Sequence, residues 1–231
     1  TRGLVVAATD EVPPTAAPLI RCGHGNTPAF VDASADPAAS AQHIAASVGF
    51  DNGLMAGAES LVFAHEECLR DFKKELAKAG AHLASEAESD AVRKLLFSAG
   101  IADPSMHGRS AGELAADAGF KISGRCKVIV TELSQVGAGE QLSLPKLAPV
   151  VGLMTVRSAT QGIAMSRALL RLDGRGHTAA VHATTPSVVM AFSAAVEASR
   201  VIVNGPAVGF AADSNSVATP LLGLGAFGGS A

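Results

Sequence analysis

Apolar residues along this chain fall in two alternating rhythms. Continuous apolar runs bounded by glycine, proline or polar residues read as buried strands at 4–8, 29–31, 61–63, 128–130, 149–156, 177–182 and 201–203. Between them the spacing changes to that of helix faces: Ala41, Ile44 and Val48; Cys68, Leu69, Phe72 and Leu76; Val92, Leu95 and Leu96; Ile163, Leu169 and Leu170; Val189, Phe192 and Val196. The punctuation agrees. Asp36-Pro37 offers an N-cap acceptor followed by proline at the first helical position, for a helix reaching about residue 47. Gly80 closes a helix over 65–79, Gly100 follows one over 89–99, and Ser110-x-x-Glu113 has capping-box spacing before a short helix stopped by Gly119. Ser158 and Thr185-Pro186 open two more, and the Gly-, Ala- and Ser-rich stretch from Asn204 onward reads as surface loop.

Strand, helix, strand, helix, strand at this spacing predicts an α/β fold with right-handed crossovers and a mostly parallel sheet. No internal repeat or linker divides the sequence, so 1–231 reads as a single domain, long enough to bury a large core. Hydrophobic residues make up 48% and charged ones 17%, with net charge -3, which excludes a disordered chain and gives no basic footprint for nucleic acid. The absence of Trp and Tyr leaves little for base-stacking platforms. The longest apolar runs fall well short of a membrane span, and the one near the start is too short for a signal sequence, with Asp10 and Glu11 close behind. Cys22, Cys68 and Cys126 form an odd, widely spaced set that fits a reducing cytoplasm better than a disulfide framework. No Cys-x-x-Cys knuckle occurs. His24, His43, His65, His82, His107 and His182 show no helical pairing with a carboxylate, so no metal is expected and these histidines are assigned to surface or core.

The candidate chemistry lies in Phe50-Asp51-Asn52-Gly53-Leu54-Met55-Ala56-Gly57-Ala58-Glu59. Asp-Asn-Gly alone is a turn signal that favours positive φ. Other segments accompany it. Upstream stand Gly23-His24-Gly25-Asn26-Thr27-Pro28-Ala29-Phe30-Val31-Asp32 and Ala35-Asp36. Downstream stand Gly176-His177-Thr178, Ser199-Arg200-Val201-Ile202-Val203-Asn204-Gly205-Pro206 and Leu222-Gly223-Leu224-Gly225-Ala226-Phe227-Gly228-Gly229-Ser230. Together and in this order they resemble the motifs of CoA-acylating aldehyde dehydrogenases, and they cover the chain nearly end to end. In that family the first segment is the nucleophile loop, and Ala56 stands where the family carries its cysteine. A thiolate attacks an aldehyde carbon and later leaves a thioester; a methyl group does neither.

The resemblance implies a three-layer αβα catalytic domain with a mostly parallel sheet. Residues 1–30 would be a remnant bordering a separate NAD-binding domain that this sequence does not contain. The resemblance places His177 beside the thiol pocket, where an imidazole orients a thiol or takes its proton; the alternative is a hydrogen-bonded histidine at a strand start. Glu59 matches the glutamate that follows the cysteine and reads as a loop or helix-start anchor. Asn52, Gly53 and Gly57 shape the loop, and backbone N–H groups around Ala56 and Gly57 would stabilise an oxyanion. Cofactor-binding residues are not identified. Gly223-x-Gly225-x-x-Gly228 fits a dinucleotide expression, but no helix or second strand follows it, so it is rejected. In Leu144-Pro145-Lys146-Leu147-Ala148-Pro149, Pro145 takes the place of the acid found in the nearest acylating relatives. As substitute nucleophiles the cysteines are set aside: Cys68 lies on the inward stripe of a helix, and Cys22 and Cys126 match no catalytic position.

By resemblance, the complete reaction converts aldehyde, coenzyme A and NAD into acyl-CoA and NADH, so NAD and coenzyme A are the family's cofactors. For this chain alone none is expected. Three readings stand: a silent domain, a pseudoenzyme serving as partner subunit of an intact aldehyde dehydrogenase; a truncated or Cys-to-Ala-inactivated acylating aldehyde dehydrogenase; and a non-catalytic module for CoA or acyl groups. A homodimer, or association with a full-length aldehyde dehydrogenase, is expected by analogy, with neither nucleic acid nor membrane as partner. The expected location is cytoplasmic, with the inside of a bacterial microcompartment as the alternative.

Overall fold

A computed structural model describes residues 25–208, apart from 99 and 138, together with the backbone of two short strands before them. Cys22, His24 and the glycine-rich segment 222–230 lie outside the described residues. The two leading strands, β1 (Val5–Ala7) and β2 (Leu19–Arg21), pair in parallel apart from the main sheet; the second is not announced by the apolar pattern.

The chain then alternates β3 (Thr27–Val31), α1 (Pro37–Gly49), β4 (Glu59–His65), α2 (Glu66–Lys78), β5 (Ala81–Leu83) and α3 (Glu86–Leu96). A small antiparallel pair follows, β6 (Phe97–Ser98) with β7 (Ile101–Ala102), then α4 (Ala111–Asp117) and β8 (Val128–Glu132). The last third holds β9 (Val150–Val156), α5 (Ala159–Leu172), β10 (Gly176–His182), α6 (Pro186–Ala195) and β11 (Ala198–Val203). Seven strands form one sheet in the order β11-β10-β3-β4-β9-β8-β5, every pair parallel. This is the three-layer α/β architecture expected from the sequence.

Alternation along each strand divides the core between the two faces. Phe30, Leu61 and Phe63 pack with Val92, Leu114, Leu169, Leu170 and Phe192 from α3 to α6. Ala29, Val31, Val62 and Ala64 pack with Ile44, Phe72 and Leu76 from α1 and α2. The large side chains in both layers are fully buried, each contributing on the order of 2 kcal/mol from removal of apolar surface.

Helix ends follow their caps. The Asp36 carboxylate accepts from the N–H groups of Ala38 (2.9 Å) and Ala39 (3.2 Å). The Ser110–Glu113 capping box opens α4 as read. Two expectations need correction. The third helix spans Glu86–Leu96 rather than 89–99, because Ser85 and Glu88 form a capping box upstream of the expected start. Its far end is cut short because Phe97 and Ser98 pair with Ala102 and Ile101 around Gly100, at φ 83. Strand β5 was not read at all: it is short, its centre is His82, and it survives by pairing with β8 at the sheet edge.

Candidate active site

The loop between α1 and β4 holds the sequence-predicted site. Helix α1 passes into a 3₁₀ turn, Phe50–Gly53, in which Asp51 (φ 47), Asn52 (φ 51) and Gly53 (φ 73) all adopt left-handed backbone. For an L-residue that conformation costs roughly 1–2 kcal/mol, so the surroundings must hold it. Asn52 Nδ2 donates to the Gly108 carbonyl at 3.0 Å, and the Leu54 N–H donates to Asp51 O at 3.2 Å. Three glycines let the backbone close on its neighbours. A Cβ on Gly53 would lie 2.3 Å from Ala148 O, one on Gly25 would lie 1.6 Å from Ala56 O, and one on Gly57 would lie 2.8 Å from an Arg200 nitrogen. The loop is thus clamped between β3, the 146–149 segment and β11. The Ala58 N–H closes the turn onto Met55 O at 2.9 Å, while the N–H groups of Ala56 and Gly57 have no partner among the described residues.

His177, the second residue of β10, borders Gly57: its Cε1 is 3.8 Å from where a Gly57 Cβ would lie. Burial, and secondarily Arg200, push its imidazole below the ordinary histidine range. Its Nδ1 is buried with no partner among the described residues, so it is not simply a hydrogen-bonded strand-start histidine there.

Glu59 opens strand β4. It is 2% exposed, and its Oε1 accepts from the Ala207 N–H at 3.0 Å, while Oε2 has no hydrogen-bond partner among the described residues. Burial raises its pKa to about 7; the Ser47 hydroxyl, the Ala207 N–H and the Arg200 guanidinium oppose the shift.

Two site residues received no role from the sequence. Arg200 Nη2 donates to Thr178 Oγ1 (3.2 Å) and to the Ala207 carbonyl (2.8 Å), which puts its charge between Glu59 and Gly57. Lys146 is 5% exposed, and its Nζ donates to Leu142 O (2.8 Å), Ser60 Oγ (3.0 Å), Leu144 O (3.1 Å) and Ser60 O (3.2 Å). Burial pushes its ammonium down to about 7, whereas four oxygen acceptors favour the charged form. Both stood inside quoted motifs, and a basic residue kept within an apolar stretch was the available signal.

A cavity of about 20 Å³, the space of one water, lies under the loop, with Ala56, Glu59, Ser60 and Lys146 among its walls. All of this sits at the amino ends of β3, β4, β9 and β10, opposite to the carboxyl-end placement usual in open α/β sheets. A larger cleft of about 560 Å³ does lie past the carboxyl ends of β5 and β8, but its walls include Ser85, Asp90, Arg93 and Glu140 and none of the sequence-predicted site residues. Among the described residues no cluster of His, Cys, Asp and Glu could hold a metal ion, and no helix is long and apolar enough to cross a membrane.

No family model matches the chain. It is 30% identical over 218 residues to the aldehyde-alcohol dehydrogenase of Streptococcus pneumoniae, a match that takes in 90% of this chain and 25% of that relative. A solved structure of a probable aldehyde dehydrogenase from Listeria monocytogenes is similar at TM-score 0.83 and 30% identity, over 88% of this chain and 46% of that one. An acetylating aldehyde dehydrogenase from Geobacillus thermoglucosidasius is similar at TM-score 0.80 and 28% identity, over 83% and 42%. The chain therefore spans a quarter of the curated relative and less than half of either solved chain. Acetylating aldehyde dehydrogenases stand among its relatives and its structural neighbours, and its parallel sheet between two helical layers is the fold of their catalytic domain.

Proposed function

We propose that this chain is the catalytic domain of a CoA-acylating aldehyde dehydrogenase type in which the covalent step is silent, so that alone it frames an acyl-transfer pocket without turnover. One observation supports the reading: Ala56, which the motif resemblance aligns with the family's nucleophile, lies in the clamped loop, walling a cavity with Glu59 and preceding Gly57, which borders His177. The surroundings suit a tetrahedral oxyanion. The Ala56 and Gly57 N–H groups are free among the described residues to donate to it, and His177, held neutral by burial, has an Nδ1 ready to take a thiol proton.

Nicotinamide and coenzyme A come to this chain only through its relatives. The glycines Gly25, Gly53, Gly57 and Gly174 approach protein atoms, not a vacant cradle. These four glycines therefore offer no turn for a dinucleotide pyrophosphate.

The test is Ala56→Cys. Incubated with acetyl-CoA, its thiolate attacks the acyl carbon, the new C–S bond forms, and the coenzyme A thiolate departs. The expected result is a single acetyl adduct at position 56 by mass spectrometry, without NAD-dependent aldehyde oxidation by this chain. A folded variant that takes up no acetyl group removes the pocket reading, and NAD-dependent turnover removes the silent-domain reading.

The intact clamp also favours a second reading, an active acylating enzyme silenced only by the Cys-to-Ala difference; NAD-dependent turnover from Ala56→Cys would select it. As a partner subunit, the chain would pair with a second copy or with an intact aldehyde dehydrogenase. Co-purification with such an enzyme supports that role, and its absence from a pull-down with candidate dehydrogenases counts against it.

A further inference from the structure

Lys146 is buried without a carboxylate on its Nζ: the four oxygens around it belong to Ser60, Leu142 and Leu144. The Nζ is hydrogen-bonded only to neutral oxygens, and the Glu140 carboxylate acts on it without direct contact, so its charge is only partly balanced. Its neighbours direct the field of the remainder toward the loop. Lys146 shares the walls of the 20 Å³ cavity with Ala56, a space of about one water. The segment that carries Lys146 is locked against the loop. The Leu147 carbonyl, in left-handed backbone at φ 46, accepts from the Gly108 N–H at 3.0 Å, and the Gly108 carbonyl in turn accepts from Asn52. The Ala148 carbonyl fills the space beside Gly53. The ammonium, the loop and position 56 thus form one rigid unit.

We propose that the Lys146 ammonium makes the cavity under Ala56 an anion-stabilising site, so that Lys146 is the positioning residue that ionises a sulfur nucleophile placed at position 56. The inference rests on position 56 being the nucleophile position and goes beyond it by naming what supplies the charge. Other charged and titratable groups face the same loop. Glu59 shares the cavity and opposes the effect when ionised, Glu140 acts on Lys146 from the 3₁₀ turn ahead of it, and Arg200 and His177 flank Gly57 from β11 and β10. Of these, Lys146 is the one cationic residue among the cavity's walls. Nearby cations lower a thiol's pKa from about 8.5 because they favour the thiolate over the thiol, and the thiolate in turn holds the Lys146 ammonium charged above the value of about 7 to which burial pushes it.

The experiment reads thiol ionisation directly, independent of acyl transfer. The pH–rate profile of iodoacetamide alkylation at position 56 is followed by peptide mass spectrometry in Ala56→Cys and in Ala56→Cys combined with Lys146→Met. The single variant should titrate below about 8.5. Neutralising Lys146 should raise the midpoint by about one pH unit or more, a loss of about tenfold in thiolate at neutral pH. A purely structural role would lower thermal stability and leave the midpoint where it was. Where the methionine variant does not fold, Lys146→Gln, whose amide still donates to the Ser60 or Leu142 oxygens, takes its place. A midpoint at or above about 8.5 in the single variant, or one unmoved by either neutral substitution, overturns the proposal. Failure of acetyl transfer with a lowered midpoint would sink the acyl-transfer reading and leave this one standing.

Discussion

Gly25 and Ala56 stand backbone against backbone: a Cβ on Gly25 would fall 1.6 Å from the Ala56 carbonyl oxygen. The obstacle is main chain, not the end of a flexible side chain, so relief requires the segment ahead of β3 or the loop between α1 and β4 to move. Gly25→Ala should therefore cost about 2 kcal/mol or more, lowering the melting temperature by roughly 4–8 °C. Calorimetry checks it, and an unchanged transition would mean the loop is not clamped there.

Asn52 is held at φ 51 and ties the loop to Gly108 through its amide. Asn52→Ala loses the hydrogen bond, about 1 kcal/mol, and puts a residue with no polar side chain into left-handed backbone, a further 1–2 kcal/mol by rough count. Asn52→Gly loses the same bond but takes that backbone freely, at the cost of a more flexible unfolded chain. Urea melts should show both variants weakened, alanine more than glycine. The reverse order would show that backbone strain at 52 is negligible.

The sequence made the loop legible and left its supports hidden, for physical reasons. Asp51-Asn52-Gly53 announces positive φ because each residue tolerates it, and the observed angles follow. Strands buried on both faces read as apolar runs whatever their partners, so β3, β4, β9 and β10 were legible while their order in the sheet was not. Strand β5 escaped because His82 interrupts a run only three residues long, and a short edge strand exists through pairing rather than pattern. Arg200 and Lys146 join the site through contacts with residues distant in sequence, which no local spacing encodes.

Cys68 illustrates how burial separates a structural thiol from a reactive one. It is 6% exposed on α2, donates to the His65 carbonyl at 3.3 Å, and burial pushes its thiol above the ordinary cysteine range. Cys126 is half-buried in the loop before β8. In the native protein a disulfide reagent should modify Cys126 on the order of a hundredfold or more faster than Cys68, since thiolate and access are both required; denaturant should abolish the difference. Equal native rates, assigned by peptide mapping, would show that burial does not silence Cys68.

Glu59 and His182 carry opposite pH linkages that nearly cancel. Burial raises Glu59 from 4.5 to about 7, so between those values the folded chain holds a proton that the unfolded chain has released, and stability falls as pH rises. Burial, with the stacked His43 ring adding to it, lowers His182 from 6.5 to about 4. Between those values the unfolded chain binds a proton that the folded chain refuses, and stability falls as pH drops. Each shift is worth on the order of 3 kcal/mol across its window, so from pH 4.5 to 6.5 the two slopes offset one another. Glu59→Gln should expose the histidine's slope, with stability climbing by about 3 kcal/mol from pH 4.5 to 6.5 relative to the parent chain. His182→Asn should expose the carboxyl's, with stability falling by a similar amount as pH rises toward 7. Urea denaturation of the parent and both variants at several pH values across this range provides the measurement, and three parallel stability curves would show that neither residue titrates as its burial demands.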